Sequence, residues 1–305
     1  MSNNPIIIAT RQSELALWQA GFVKNALEKV LPGIEVRLLG MTTKGDRWLH
    51  APLAEVGGKG LFIKELEAAL LAGTAQLAVH SMKDVPALLA EEFSLAVIAF
   101  REDPRDVLVS RNGEKLSELR EGARVGSSSL RRQAQIHVLR SDIEICPVRG
   151  NVNTRLNKLD SGEYDALLLA SAGLKRLGLE ARVTEYFDTN ICLPAGGQGA
   201  LGVECLSGNA ALIELLSPLD DVDVRACVMA ERGVSAGLGA DCSAPLGAHA
   251  TIVDGRITLR AVLATPDGAK VLRAKASGTQ VDTLVREVVA SLTDQGGLEL
   301  LQSLP

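Results

Sequence analysis

The apolar positions of this chain alternate between two spacings. Residues 5–10 (Pro-Ile-Ile-Ile-Ala-Thr) form a short apolar run that reads as a buried strand. From about Ser13 onward, Leu15, Trp18, Phe22 and Leu27 recur at helical spacing on one face. Residues 34–40 predict a second strand, and 61–72 an amphipathic helix ended by Gly73. Strands follow at 77–80 and 95–100. This is βαβ order, which implies a mostly parallel sheet with helices on both faces.

The order then restarts. Strands are predicted at 123–126, 143–148 and 166–170, with helices at 130–140 and 152–159. The two halves rhyme without repeating: each has a strand running into a hydroxyl-rich loop and then a helix, Thr10-Arg11-Gln12-Ser13 in one and Ser127-Ser128-Ser129 in the other. Two similar α/β domains facing one cleft is the arrangement this predicts. A third region begins near Pro218, with helices over 222–234 and 281–292 and strands over 257–263 and 271–276. Asp254-Gly255 suits a tight hairpin turn there.

Composition narrows the function. The chain has 305 residues, enough for two or three domains, and 47% hydrophobic against 23% charged residues excludes a disordered chain. Its net charge of −5 and nine aromatic residues (five Phe, two Tyr, two Trp) argue against a nucleic-acid binder. There is no apolar run long enough to span a bilayer and no secretory signal pattern. The five Cys (Cys146, Cys192, Cys205, Cys227, Cys242) have no CxxC spacing, and the four His (His50, His80, His137, His249) are scattered. These point to a reduced, cytoplasmic protein without a disulfide framework or a metal.

Against this acidic background, Arg11, Lys83, Arg131, Arg132, Arg149 and Arg155 fall at loops after predicted strands, with Ser13 and Ser127–Ser129 nearby. In open α/β sheets ligands bind beyond the carboxyl ends of strands, where helix N-termini offer free N–H groups. Guanidinium forks match carboxylates. The implied ligand is a polyanion. Asp84, just after a strand and beside Lys83, could handle protons or stabilise a cation. Gly197-Gln198-Gly199-Ala200-Leu201-Gly202 matches GxGxxG, but a strand rather than a helix is predicted after it, so it is not a dinucleotide site. Residues 57–60 read as a glycine turn, with a mobile lid as the functional possibility. Cys242, in the small-residue loop 239–245, is a candidate nucleophile, and the other four Cys read as core filler.

Taken together, these motifs resemble the porphobilinogen deaminase (hydroxymethylbilane synthase) family over nearly the whole length. The resemblance rests on Ile8-Ala9-Thr10-Arg11-Gln12-Ser13, Gly57-Gly58-Lys59-Gly60-Leu61-Phe62 and Val79-His80-Ser81-Met82-Lys83-Asp84-Val85-Pro86. It continues through Arg101-Glu102-Asp103-Pro104-Arg105-Asp106, Ser128-Ser129-Leu130-Arg131-Arg132-Gln133, Arg149-Gly150-Asn151-Val152-Asn153-Thr154-Arg155, Pro194-Ala195-Gly196-Gly197-Gln198-Gly199-Ala200 and the Cys242 loop. It implies three domains: 1–99 with 200–217, then 100–199, then 218–305 carrying the cofactor cysteine. The first two would be doubly wound α/β domains of the type II periplasmic-binding kind around a cleft, and the third a small α/β domain.

The resemblance further implies a monomeric transferase in tetrapyrrole biosynthesis that joins four porphobilinogen molecules into the linear tetrapyrrole hydroxymethylbilane, on a dipyrromethane cofactor attached to Cys242 by a thioether. Asp84 matches the catalytic position. Lys83, Ser129, Arg131 and Arg132 match cofactor-binding positions, Arg11, Ser13, Arg149, Arg155 and Gln198 substrate-binding positions, and Lys59 and Phe62 the mobile loop. No metal, nucleic acid or membrane is implied. The chain departs from the family's usual Gly-Gly-Cys by having Ala240-Asp241 before Cys242, it lacks a basic residue in 235–238, and it has Ser127 where Thr is common. The alternative reading is a non-catalytic polyanion-binding protein of the periplasmic type.

Overall fold

A computed structural model describes residues 5–43, 63–241 and 243–304. The expected lid residues Lys59 and Phe62, the glycine turn 57–60 and Cys242 lie outside them. The described residues divide into two compact units, Met1–Arg101 with Ala200–Arg225, and Glu102–Gly199 with Ala226–Pro305.

In the first unit, strands β1 (Ile6–Arg11), β2 (Val36–Met41), β3 (Leu77–Ser81) and β4 (Phe93–Ala99) are joined by β10 (Leu201–Leu206) in the order β2-β1-β3-β10-β4. β1 runs parallel to β2 and β3, while β10 is antiparallel to both its neighbours. Side chains alternate across the sheet. Ile8, Leu77, Val97 and Val203 pack on one face against Val23 and Leu27 of helix α1 (Glu14–Val30). Ala9 and Ala78 face Leu66 and Leu70 of α2 (Lys64–Leu71) on the other. Burial on both faces explains why these strands read as continuous apolar runs.

The second unit repeats the plan. Strands β5 (Asp106–Ser110), β6 (Arg124–Gly126), β7 (Glu144–Cys146), β8 (Ala166–Ala170) and β9 (Glu185–Tyr186) are ordered β7-β6-β8-β5-β9, with β5 antiparallel to its neighbours. Helices α3 (Leu130–Leu139), α4 (Val152–Asp160) and α5 (Ser171–Arg176) follow β6, β7 and β8. Each sheet thus takes its one antiparallel strand from where the chain passes between them: β5 follows the first sheet's β4, and β10 returns to the first sheet. This is the connectivity of two type II periplasmic-binding-like domains.

After β10 come α6 (Ala210–Leu216) and α7 (Val222–Gly237), then a three-stranded antiparallel sheet of β11 (Leu246–Val253), β12 (Arg256–Ala264) and β13 (Val271–Gly278), closed by α8 (Val281–Asp294) and α9 (Gly297–Gln302). The β11–β12 hairpin turns at Asp254 and Gly255, with φ of 50° and 71°, the pair of positive φ values that a two-residue turn of this hand requires. Helix α7 lies close on α8: a Cβ at Gly233 or Gly237 would come within 2.7 Å of Val285 or Val289.

The helices and strands expected from periodicity are present to within a few residues. Strands β5, β9 and β11 and helices α5, α6 and α9 were not expected, and β5 matters most for the site.

Candidate functional site

In each unit the singled-out residues gather at the carboxyl edge of the sheet. β1 ends at Arg11, and Ser13 caps α1 by accepting a hydrogen bond from Ala16 N–H at 3.4 Å. β3 lies beside β1 in parallel register, so Lys83 and Asp84 emerge at the same edge. They sit on a 3₁₀ turn, Met82–Asp84, secured from several sides. Met82 N–H donates to Ala200 O at 3.0 Å, Val85 N–H to Met82 O at 3.2 Å, and Gln19 Nε2 to Ser81 Oγ at 2.8 Å. Met82 is fully buried, and a Cβ on Gly202 would come within 2.3 Å of its sulfur, so any side chain there would displace Met82. His80 Nε2 meets the buried Glu204 carboxylate at 2.8 Å. Asp84 itself is exposed, while Arg11, Ser13 and Lys83 are half-buried.

The second unit has two such loops. Ser129 caps α3, accepting from Arg132 N–H at 3.4 Å, and Asn151 caps α4, accepting from Thr154 N–H at 2.9 Å. Neither helix has an acidic residue in its first turn, so neither positive end is offset by its own sequence. Ser127 Oγ accepts from Ser129 N–H at 3.2 Å, and Ser128 Oγ–H donates to Val148 O at 2.8 Å, tying the serine loop to the loop before Arg149. Arg149 and Arg155 are half-buried, and Arg155 Nε donates to Gly150 O at 2.9 Å.

Arg131 and Arg132 differ from the other cations in being buried. Both hold Asp106, a fully buried carboxylate at the start of β5 that the sequence reading quoted in a motif but gave no role. Arg131 Nη1 donates to Asp106 Oδ2 at 2.6 Å and to Leu193 O at 2.7 Å. Arg132 Nε donates to Asp106 Oδ1 at 2.9 Å, and its Nη1 to Leu168 O at 3.0 Å. Gln198 Nε2 adds bonds to Asp106 Oδ1 at 3.0 Å and to Pro104 O at 2.6 Å. Burial alone would raise the Asp106 carboxyl, but the two guanidinium groups outweigh it and hold the group far below the usual carboxylate range. Two cations on one anion leave a net positive charge at this edge.

Cys192 belongs to the same cluster. Its Sγ lies 3.5 Å from Asp106 Oδ2, and burial together with that anion pushes the thiol up to about 12. It is buried as the sequence predicted, along with Cys146, Cys205 and Cys227, but it also serves as a weak donor to Asp106. The GxGxxG stretch runs into strand β10, as expected. Its Gly199, at φ +88°, has no room for a side chain, since a Cβ would sit 2.2 Å from Glu102 O.

Asp241 carries the departure from the family pattern. Its Oδ1 accepts from Ser243 N–H at 2.9 Å and from the Ser243 hydroxyl at 2.5 Å, an Asx-type turn.

The family model for the porphobilinogen deaminase dipyrromethane cofactor binding domain matches residues 6–214, and that for the porphobilinogen deaminase C-terminal domain matches 225–293. The chain is 50% identical over 302 residues to a porphobilinogen deaminase from Thiobacillus denitrificans, covering 98% of this chain and 99% of that one. It is 50% identical over 301 residues to one from Chromobacterium violaceum, covering 98% and 97%. Among solved structures, the second substrate-binding domain of a putative amino acid ABC transporter from Streptococcus pneumoniae aligns with a TM-score of 0.44 and 13% identity over 70% of this chain and 91% of that one. The sequence matches span the positions of both sheet-edge clusters, and the chain belongs to the porphobilinogen deaminase family.

Proposed function

We propose that this chain joins four porphobilinogen molecules head to tail into the linear tetrapyrrole hydroxymethylbilane, releasing one ammonia per unit, on a dipyrromethane primer held by a thioether to Cys242. The observation that carries this reading is the match to the dipyrromethane-binding domain across residues 6–214, which includes Asp84 and all six sheet-edge cations.

The donor set fits such a primer. Each pyrrole bears an acetate and a propionate, and the second unit offers a guanidinium pair in excess over Asp106 beside a helix start with no acidic residue. When bound, the dipyrromethane supplies the free pyrrole α-carbon to which the first unit is joined. In this reading Lys83, Ser129, Arg131 and Arg132 hold its carboxylates. Arg11, Ser13, Arg149 and Arg155 hold those of the incoming substrate and growing chain, whereas Gln198, expected there from the sequence, is buried with its amide nitrogen on Asp106 and Pro104 O and acts on the arginine pair instead. Asp84, exposed on its fixed turn, would face the pyrrole nitrogens. Its negative charge stabilises the cation formed as the aminomethyl C–N bond breaks, and its carboxylate carries the proton lost from the α-carbon when the new C–C bond forms.

Lys59 and Phe62 match the family's mobile-loop positions, and Cys242 in the C-terminal region 218–305 carries the primer. The enzyme works as a monomer in the cytoplasm. Four described cysteines are free thiols, which suits a reducing compartment, and no helix among the described residues is long and apolar enough to cross a membrane.

The test is direct. The purified, denatured protein should give a pyrrole-specific colour reaction, and incubation with porphobilinogen should release four ammonia molecules per hydroxymethylbilane formed. A colourless protein that binds porphobilinogen without releasing ammonia would support the polyanion-binding alternative and overturn this function.

A further inference from the structure

Glu231 is a fully buried carboxylate in the middle of helix α7, and no step above uses it. Burying an ion is costly unless it is well paired, so its partners indicate what it is kept for. Its Oε2 accepts from Gly197 N–H at 2.7 Å. Its Oε1 accepts from Ala250 N–H at 2.7 Å and lies 3.2 Å from His249 Nδ1. Glu231 therefore ties the loop 193–199 to α7 and to strand β11.

That loop is stitched on its other side to the arginine pair. Leu193 N–H donates to Gln135 Oε1 at 2.7 Å, and Leu193 O accepts from Arg131 Nη1 at 2.7 Å. Gln198, the residue after Gly197, reaches Asp106 and Pro104 O through one nitrogen. The loop's own backbone does not set this conformation, because its glycines can leave it. Gly197 and Gly199 are at φ +76° and +88°, which only glycine adopts readily, and Ala248 N–H donates to Pro194 O at 3.0 Å.

We propose that Glu231 is a positioning residue for the Arg131–Arg132 pair. By fixing Gly197 it fixes Gln198, which fixes Asp106, which orients both guanidinium groups. That these groups hold the primer's carboxylates rests on the function proposed above, but the coupling through the loop does not. A carboxylate is required at 231 because each oxygen must accept from a backbone N–H. An amide would turn an NH₂ toward one of them, so Glu231→Gln breaks one of the two bonds without changing the volume.

The experiment compares the full-length wild type with Glu231→Gln, Gln198→Leu, the double variant and His249→Gln. Three quantities are read: amide hydrogen exchange by mass spectrometry, the fraction of chains carrying the primer by intact mass, and KM and kcat separately. In Glu231→Gln, exchange should rise about tenfold or more over 193–199 and at the start of α3. Loading should fall, and KM should rise about tenfold with kcat within about threefold of wild type, because the chemistry at Asp84 is untouched. Gln198→Leu should reproduce the KM rise and the exchange at the start of α3. The double variant should be little worse than the worse single, the non-additivity of residues acting in series. His249→Gln, which leaves both backbone bonds in place, should loosen β11 but keep loading and KM.

A purely structural Glu231 would lower the melting temperature and speed exchange only around 231 and 246–250, with KM and loading as in wild type, and that would overturn the proposal. Additive effects in the double variant would also overturn it. If Glu231→Gln does not fold, Gln198→Leu decides alone: wild-type exchange at α3 and wild-type KM refute the relay. If even the wild type carries no primer and forms no tetrapyrrole, the function fails while the exchange data still judge the relay.

Discussion

At the carboxyl edge of the first sheet, Asp84 stands exposed on a three-residue turn, and Arg11, Ser13 and Lys83 at the same edge are half-buried. At the same edge of the second sheet, Asp106 has no exposure at all and is held by Arg131, Arg132 and Gln198. The two sheets share strand order and direction, so the contrast comes from side chains placed on one plan. In the second sheet the antiparallel strand β5 opens with Asp106, opposite Ala170 at the end of β8. In the first, the corresponding strand β10 opens with Leu201, opposite Ser81 at the end of β3. One edge thus carries its carboxylate inside, where it presets two cations, and the other carries it outside, where it can reach a substrate. Preorganised charge costs no reorganisation when a ligand arrives, whereas a group that handles protons must be accessible to the reacting atoms.

The sharpest way to break this comparison is to remove each carboxylate in turn. Asp106→Ala strands two buried guanidinium groups and should destabilise the fold by about 3–5 kcal/mol in a denaturant titration. A loss under about 1 kcal/mol would mean the pair does not depend on Asp106. Asp84→Ala should leave the unfolding midpoint nearly unchanged, as exposed positions generally do, but lower kcat by about 10²–10³. Near-normal turnover in Asp84→Ala would remove it from the chemistry.

Acid provides a subtler test. Because the folded state holds Asp106 far below the ordinary carboxyl value, its contribution to stability is fully present above about pH 4, the unfolded value, and is lost as pH falls below it. Asp142, lowered to about 2 by its bond to Arg140, contributes to the same acid limb in every variant. The denaturation midpoint of the wild type should therefore fall more steeply below pH 4 than that of Asp106→Asn. Parallel slopes would contradict the assignment.

The smallest expected effect is at the family departure. An anion beside Cys242 in sequence would disfavour the thiolate, but the Asp241 carboxylate already accepts two hydrogen bonds from Ser243, which draws on its charge. Asp241→Gly should speed primer attachment to the apo-protein by no more than about threefold at neutral pH, with the difference fading as pH rises past the thiol's value. A large gain at every pH would indicate a backbone constraint instead.

Much of this was legible in the sequence, and the rest was hidden for definite reasons. Helices α1 to α4 and most strands of both sheets followed from periodicity, and the sheet-edge cations from their place after strands. Strand β5 was missed because Val107, Leu108 and Val109 form a five-residue element with Asp106 and Ser110, too short and too uniformly buried to alternate. Without β5, Asp106 looked like one more acidic residue in a polar motif, and only the pairing of β5 with β8 brings it to the arginines. Two adjacent arginines at a helix start, with no acid in the first turn, were the signal that a partner had to come from elsewhere. Glu231 left a trace as well. It lies at helical spacing from Cys227 and Val234 on the apolar face of α7, where a carboxylate needs a buried partner. What no pattern reveals is that this partner is the backbone of a distant loop.

In the function proposed above, this chain anchors a two-pyrrole primer on Cys242 and extends it. The most direct measurement is the intact mass of the purified protein before and after brief exposure to limiting porphobilinogen, for the wild type and Cys242→Ala. This function gives a wild-type mass above that of the sequence by one dipyrromethane, further species each heavier by one pyrrole unit after exposure, and a Cys242→Ala protein at the sequence mass throughout. A wild type at the bare sequence mass, or an excess that survives in Cys242→Ala, would contradict it.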